Sequence, residues 1–514
     1  MSKKLVKSTG VVAGMTMVSR ILGFVRDVAL AGFFGAGPAF DAFVIAFKIP
    51  NFFRRLFAEG AFSQAFVPIL TEYKTQQSQA DVSAFVGKVA GALLASLLVI
   101  VVLAEIGVPL LVVIFAPGFL HHPVRYELSK HLLYITFPYL LLISMAAFAG
   151  AVLNAWQRFA IPALSPVLLN VAMIAAAMFG VNYFHQPIYI LACGVIMGGV
   201  LQCGLQWSAL YRAGLFPKLR FDWRDAAVWR VLKKMVPALF GVSVAQLGLL
   251  IDGFFASFLP SGSISWLYYS DRLTFLPLGV IGVALATVSL PNLSRHYTTQ
   301  SEQAYSATLD WSLRTLALVG VPAAVGLSCL SAPILATLLL HGKFTVQDVS
   351  MASMSLMAFS FGLPAFMLVK VLATAFYSRQ NIHTPVKVAA SALLVNVILN
   401  LVFIIPLHHT GLALATSLAS FFNSLCLLRL LISQGLYQPQ PGWRVFLTRC
   451  VVANLALGLT ATGLAGDFSQ WVIGSIGQRS LYLMFVIASS LLVYVGVLWL
   501  TGLRFQDVRW VGSE

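Results

Sequence analysis

The sequence predicts an all-α, polytopic integral membrane protein with about 14 transmembrane helices. Three observations carry that prediction. Only 10% of the 514 residues are charged, 59% are hydrophobic, and mean hydropathy is +0.88; a soluble domain carries about a quarter charged residues. Apolar runs of about 20 residues, long enough to cross a bilayer core as a helix, recur from one end to the other. Basic residues gather in alternate connections between those runs, as the positive-inside rule requires.

Helix-length apolar runs and the turn residues between them place the spans in order at 9–35, 40–71, 85–114, 131–154, 162–182, 188–211, 232–258, 263–292, 308–330, 348–376, 385–406, 409–432, 446–466 and 480–502. The first follows a Lys-rich start that looks like a signal peptide. Arg20, Arg26 and Asp27 interrupt its apolar stretch, and no small-x-small site closes it, so it reads as a retained helix. Charges inside the spans are concentrated in the first, second and eighth.

With the N-terminus in the cytoplasm, inside connections hold Lys3, Lys4, Lys7, Lys74, Arg158, Arg224, Arg230, Lys233, Lys234 and Arg509, among others. Outside connections hold only Arg125, Lys130, Lys343 and Arg479. The asymmetry implies an even span count and two cytoplasmic termini. It also accounts for the net charge of +16: the excess faces anionic headgroups, and nucleic-acid binding is not needed. The five cysteines sit singly in apolar segments, which argues against disulfides and zinc sites.

Residues 35–70 align without gaps to 258–293, with Pro68 on Pro291, Ala61 on Ala284 and Lys48 on Asp271. NAWQRFAIP at 154–162 echoes AFYSRQNIHTP at 375–385. This internal repeat predicts two six-helix lobes, 1–212 and 213–435, followed by two extra helices in 436–514. Repeated halves with a substrate site between them are a common transporter plan.

Charges inside apolar spans are costly unless they face protein or water. On an ideal helix Asp41, Lys48, Arg55 and Glu59 fall within about 40° of one another. That stripe suits either a helix lying at the membrane surface or a spanning helix lining a water-filled cavity; the repeat and the charge asymmetry favour the second. Arg20 and Asp27 share a face of the first span, and Arg26 points roughly 120° away. Asp271 and Arg272 sit beside Tyr268 and Tyr269, Arg54 neighbours Arg55, and Lys370 is a lone cation in the tenth span. Some of these arginines can serve as structural locks to carboxylates. Their surplus nevertheless suits an anion with several oxygens, because the guanidinium fork binds phosphate bidentately; a diphosphate fits and a cationic drug does not. Asp252 in the seventh span, Asn396 and Asn400 in the eleventh and Thr416 in the twelfth offer oxygen ligands for Na⁺, a proton site on Asp252, or an interhelical hydrogen-bond cluster. No GxxxxGK[ST] loop, DxD pair or His-based constellation occurs, which argues against ATP hydrolysis and against an enzyme.

GMTMVSRILGFVRD (14–27), DAFVIAFKIPNFFRRLFAEGAFSQAFVPIL (41–70), SWLYYSDRL (265–273), HGKFT (341–345) and FYSRQNIHTPVK (376–387) resemble the MurJ (MviN) family of lipid II flippases, in the multidrug/oligosaccharidyl-lipid/polysaccharide exporter superfamily. The resemblance implies transport of an undecaprenyl-diphosphate-linked peptidoglycan precursor across the bacterial inner membrane. It implies diphosphate contacts from Arg20, Arg26 and Arg272, activity-linked charges at Asp41, Arg54, Arg55 and Glu59, and gate positions at Ser19, Asp27, Asn51 and Ser265. It further implies a sodium site at Asp252, Asn396, Asn400 and Thr416, where Asn400 stands in place of a carboxylate, and a lipid-tail groove on the last two helices. No cofactor is implied. Coupling falls to Na⁺, H⁺ or the membrane potential, and cell-wall synthesis machinery is the further partner to seek. A small-molecule antiporter of the same superfamily would share the fold but sit poorly with an arginine-rich cavity.

Overall fold

The computed structural model describes residues 3–222 and 225–504, without the side chains of 3–13, 57–59, 61, 238, 240–245 and 249. Arg224, Arg509 and the side chains of Lys3, Lys4 and Lys7 therefore lie outside the described residues. Among those described, all regular structure is helical. The chain divides into two compact units, Met1–Ser265 and Trp266–Glu514.

The first unit runs through α1 (Lys3–Phe34), α2 (Pro38–Phe53), a π-helical segment (Arg54–Phe62), α3 (Ser63–Gln76), α4 (Gln79–Ile106), α5 (Val108–Phe115), α6 (Pro123–Thr136), α7 (Tyr139–Ala155), α8 (Ala160–Gly180), α9 (Tyr189–Arg212) and α10 (Ala226–Ala256). Inside a bilayer, lipid tails are as apolar as leucine, so helices associate by close packing of small residues. The sequence GVIMGG on α9 supplies them. A Cβ on Gly194 would lie 2.8 Å from Ala176 Cβ, one on Gly198 2.9 Å from Leu169 Cα, and one on Gly199 2.8 Å from the Tyr139 ring. α9 is thereby wedged between α8 and α7. At the other end of the unit the rings of Phe62, Phe66, Phe85 and Phe148 pack together, with Phe66 and Phe148 centroids 5.2 Å apart. Arg230 at the start of α10 grips Glu72 on α3 with two hydrogen bonds of 2.8 and 2.7 Å.

The second unit takes up α11 (Ser263–Pro277) beyond its first turn, then a second π-helical segment (Leu278–Gly282), α12 (Val283–Thr298), α13 (Glu302–Cys329), α14 (Ser331–Leu339), α15 (Val346–Tyr377), α16 (His383–Ser433), α17 (Trp443–Ala465), α18 (Phe468–Ile473) and α19 (Ile476–Leu500). α15 crosses α16 where Gly362 meets Ser417: a Cβ on Gly362 would overlap the serine, whose hydroxyl donates to Ala358 O at 2.7 Å. Asp310 of α13, 2% exposed, fastens the connection between α16 and α17. It accepts from Tyr437 Oη (2.8 Å), Trp443 Nε1 (2.6 Å), the Gln440 amide (3.2 Å) and Arg314 Nε (2.7 Å). Arg314 in turn lies over the Trp443 and Phe446 rings.

Ten helical runs among the described residues are long and apolar enough to cross a membrane. One of them, His383–Ser433, contains two predicted spans. They are parted at His408, whose φ of 48° and ψ of −130° break the helix two residues after Pro406. The predicted spans at 9–35, 40–71 and 232–258 are also helical, as α1, the α2–α3 run and α10, but stand outside those ten.

The two π segments sit at matching places in the internal repeat. The alignment offset is 258 − 35 = 223, which carries Arg54–Phe62 onto 277–285, and Leu278–Gly282 falls inside that window. Each widens the helix at the start of its Gly/Ala-rich half.

Gly198→Leu is expected to force α8 and α9 apart and to destabilise the protein by about 1–3 kcal/mol, seen as a lower thermal midpoint in detergent. Asp310→Ala strands a half-buried indole, a buried phenol and a guanidinium. It is expected to cost roughly 3–5 kcal/mol and to raise protease cleavage in the 434–442 connection.

Candidate functional site

Among the charged positions Arg26 and Asp41 are buried, Arg20, Arg55 and Lys370 are exposed, and Lys48, Arg54, Asp252 and Arg272 are half-buried. Arg26 on α1 is 6% exposed and already engaged. Its Nε and Nη2 donate to Asp27 Oδ1 at 3.0 and 2.7 Å, and its Nη1 donates to Asn170 Oδ1 at 3.0 Å. Asn170, on α8, closes the circuit by donating to Ser19 O at 3.2 Å. Three predicted positions, the buried Arg26 and Asp27 and the half-buried Ser19, thus meet around Asn170, which is 144 residues from Arg26. Arg20, one residue from Ser19, is exposed.

Asp41 lies in the first turn of α2 and has no exposed surface. Its carboxylate replaces the missing hydrogen-bond partners at the start of α11. Oδ2 accepts the Gly262 amide at 2.7 Å, and Oδ1 accepts the Ser265 amide at 2.9 Å and the Ser265 hydroxyl at 2.5 Å. Free amides and a positive dipole end make a helix N-terminus a natural place for a carboxylate. Arg125 Nη1 stands 3.9 Å from Asp41 Oδ2 and donates to Leu259 O at 3.2 Å, while the Gly118 amide donates to Ser257 Oγ at 2.9 Å. The 257–265 connection is therefore tied down at three points. The sequence places Arg125 in an exposed outside loop; the structure leaves it 3% exposed.

The remaining second-span residues do not share Asp41's environment. Lys48 is half-buried beside Ile45, Phe115 and Leu250. Asn51 donates to Phe47 O at 2.8 Å and accepts from Arg54 Nε at 3.1 Å. Arg55 is exposed, and the Glu59 side chain lies outside the described residues. The constant angle per residue assumed for an ideal helix holds only up to Phe53, because the π segment begins at Arg54.

In the second unit the Arg272 guanidinium lies 4.9 Å from the Tyr268 ring centroid, within cation–π range, and Lys370 is exposed. Asn400 Nδ2 donates to Asn396 Oδ1 at 3.3 Å, and Asn396 Nδ2 donates to Thr416 Oγ1 at 3.1 Å. The three residues form the interhelical amide–hydroxyl chain that their spacing allows. Asn400 Oδ1 is buried and has no hydrogen-bond partner. Asp252, in the first unit, is half-buried. Among the described residues no group of three or more His, Cys, Asp or Glu is placed to hold a metal.

A family model described as "Lipid II flippase MurJ" matches residues 30–482. The chain is 43% identical over 503 residues to a probable lipid II flippase MurJ of Haemophilus influenzae, covering 95% of this chain and 98% of that one. It is 41% identical over 515 residues to the Vibrio cholerae counterpart, covering 99% and 98%. Among solved structures, a lipid II flippase MurJ in an inward closed conformation superposes with a TM-score of 0.80 at 28% identity, over 95% of this chain and 97% of that one. An inward-facing multidrug transporter of the MOP superfamily shares the fold, with a TM-score of 0.67 at 15% identity over 82% and 98%. A match this complete to a family of transporters, on an all-helical chain with many membrane-length spans, leaves one assignment: the chain belongs to the MurJ family of lipid II flippases.

Proposed function

We propose that this chain moves the undecaprenyl-diphosphate-linked peptidoglycan precursor, lipid II, from the inner to the outer leaflet of the bacterial inner membrane by alternating access. The observation that carries the reading is the family match over residues 30–482, whose relatives are named for that activity. In this reading both termini are cytoplasmic, and the lobes are 1–212 and 213–435. Residues 436–514 form the pair of helices along which the lipid tail lies.

The diphosphate is taken by Arg20, Arg26 and Arg272, with Arg54, Arg55, Lys48 and Lys370 supplying further positive charge and Glu59 balancing it. Forked guanidinium donors suit paired phosphate oxygens. Arg26 reaches the diphosphate only by releasing Asp27 and Asn170, so substrate binding is linked to opening of that buried cluster. Ser19, Asp27, Asn51 and Ser265 act as gate positions. Asp41, buried on the amides of Gly262 and Ser265, acts by positioning the start of α11. Cell-wall synthesis enzymes on the outer side are the partners that would consume the product.

For coupling, the buried Asn400 carbonyl oxygen that meets no donor is the kind of ligand a hard cation prefers. Asn396, Asn400, Thr416 and Asp252 would hold Na⁺, with Asp252 as the single carboxylate. A proton on Asp252 or the membrane potential alone are the competing drivers.

The first test depletes the protein in its host and scores lipid-linked precursor accessible from the outer face. Wild type is expected to restore it; Arg26→Ala and Arg272→Ala, at equal expression, are not. Outer-face precursor unchanged on depletion, in a host with no second flippase, would move the assignment to a small-molecule antiporter. The second test follows thermal stability against Na⁺ concentration. Asn400→Asp adds a second negative charge to the site and is expected to lower the half-maximal Na⁺ concentration about tenfold, about 1.4 kcal/mol. A midpoint insensitive to Na⁺ in both proteins would eliminate sodium coupling.

A further inference from the structure

The helices α17 and α19 follow the internal repeat, and specific hydrogen bonds hold them in place. They are first tied to each other. Tyr482 Oη donates to Leu464 O at 2.6 Å near one end, and Arg449 Nη1 donates to Gly502 O at 3.3 Å near the other. The pair is then fastened to the rest of the second unit at three levels. At the start of α17, Asp310 of α13 holds Tyr437, the Gln440 amide and Trp443. At the start of α19, Arg479 donates to Ala336 O and Leu340 O, two carbonyls at the end of α14, at 3.1 and 3.2 Å.

The third level lies between these ends and is buried. Pro322 sits inside α13 and has no amide hydrogen, so the Leu318 carbonyl, four residues before it, loses its donor within the helix. A carbonyl left bare in hydrocarbon is costly, and a neighbouring helix can supply the donor. Tyr494 of α19, 4% exposed, does so: its hydroxyl donates to Leu318 O at 2.8 Å. Around this bond Leu318 packs against Ala453, Leu457, Tyr494 and Leu498. The first unit uses the same device, where Pro50 releases Ala46 O and Thr136 Oγ1 donates to it at 3.0 Å. Such a bond fixes a height, because the proline frees one carbonyl and not its neighbours. Sliding or turning α19 on α13 would strand the carbonyl and the hydroxyl together.

We propose that Tyr494 is a positioning residue for transport. Keyed to the Leu318 carbonyl, it holds α17 and α19 at one height and rotation on α13, so the lipid tail keeps its place on the second unit while the head group is carried. The inference rests on the reading that lays the tail along this helix pair. A purely structural role, satisfying a bare carbonyl, would use the same bond. One substitution separates the two roles: Pro322→Ala returns an amide hydrogen to α13 and satisfies Leu318 O from within, but gives α19 no new hold.

The test uses the full chain in proteoliposomes. It follows flipping of an undecaprenyl-diphosphate-linked precursor and of an analogue with a short prenyl tail, beside the thermal midpoint. Tyr494→Phe keeps the ring and loses the hydroxyl. It is expected to lower the midpoint by about 2 °C. It is also expected to slow flipping of the long-tailed substrate about fivefold, the equivalent of one hydrogen bond, and to spare the short-tailed analogue. Adding Pro322→Ala, which by itself leaves both bonds possible because a carbonyl accepts two, is expected to restore the midpoint but not flipping. Spin labels at the exposed Val319 and Leu492, in a cysteine-free background, are expected to give one narrow distance that broadens in both Tyr494→Phe variants. Flipping that recovers with the midpoint, or a distance that stays narrow without the hydroxyl, would overturn the proposal and leave the tail reading standing. Equal slowing of both substrates would overturn it too, and would remove the tail from this helix pair.

Discussion

A carboxylate taken out of water must be supplied with protein donors in its place, and in a helix bundle few donors are unspent. Backbone amides are consumed within the helices except in the first turn. Three of the four buried acids among the described residues therefore stand where a helix begins or a connection crosses, and the fourth, Asp27 within α1, takes its donors from the Arg26 guanidinium. Asp41 takes the amides that open α11. Asp348 closes a capping box with Thr345 at the start of α15 and receives the Trp266 indole at 2.9 Å. Asp310 gathers an amide, an indole, a phenol and a guanidinium around one connection. Where helices start, and which loops are held still, follows from these acids.

The same economy governs the arginines. Arg26 is satisfied within the protein by Asp27 and Asn170, whereas Arg20, next to Ser19 in the same cluster, is exposed. A satisfied guanidinium is a lock until something competes for it; an exposed one is available to an incoming anion. Two arginines six residues apart on one helix thus stand in opposite states in this conformation. That contrast is sharper than a sum of positive charges conveys.

Most of the fold was legible because apolar run length is a one-dimensional signal. The spans from 85–114 onward emerge as membrane-length helices, apart from α10, and even the break between 385–406 and 409–432 appears, at His408 just after Pro406. Legibility failed where the signal is three-dimensional. Asp41 has the same letters around it whether it lines water or caps a helix; its partners are 221 and 224 residues away. Arg125 reads as an outside-loop cation for the same reason. The polar stripe of the second span was drawn with a constant angle per residue, and a π segment, which leaves no plain mark in composition, breaks that constancy. The amide chain of Asn396, Asn400 and Thr416 was visible because i, i+4 spacing and a neighbouring span suffice to bring those groups together.

The paired π segments also bear on history. A widened turn is a local irregularity that a helix keeps only under selection, and this chain keeps one at the same register in two stretches whose sequences have otherwise drifted apart. Two separate insertions at one register are a less economical account than inheritance. If the two stretches descend from one duplicated half, the irregularity was present before they separated.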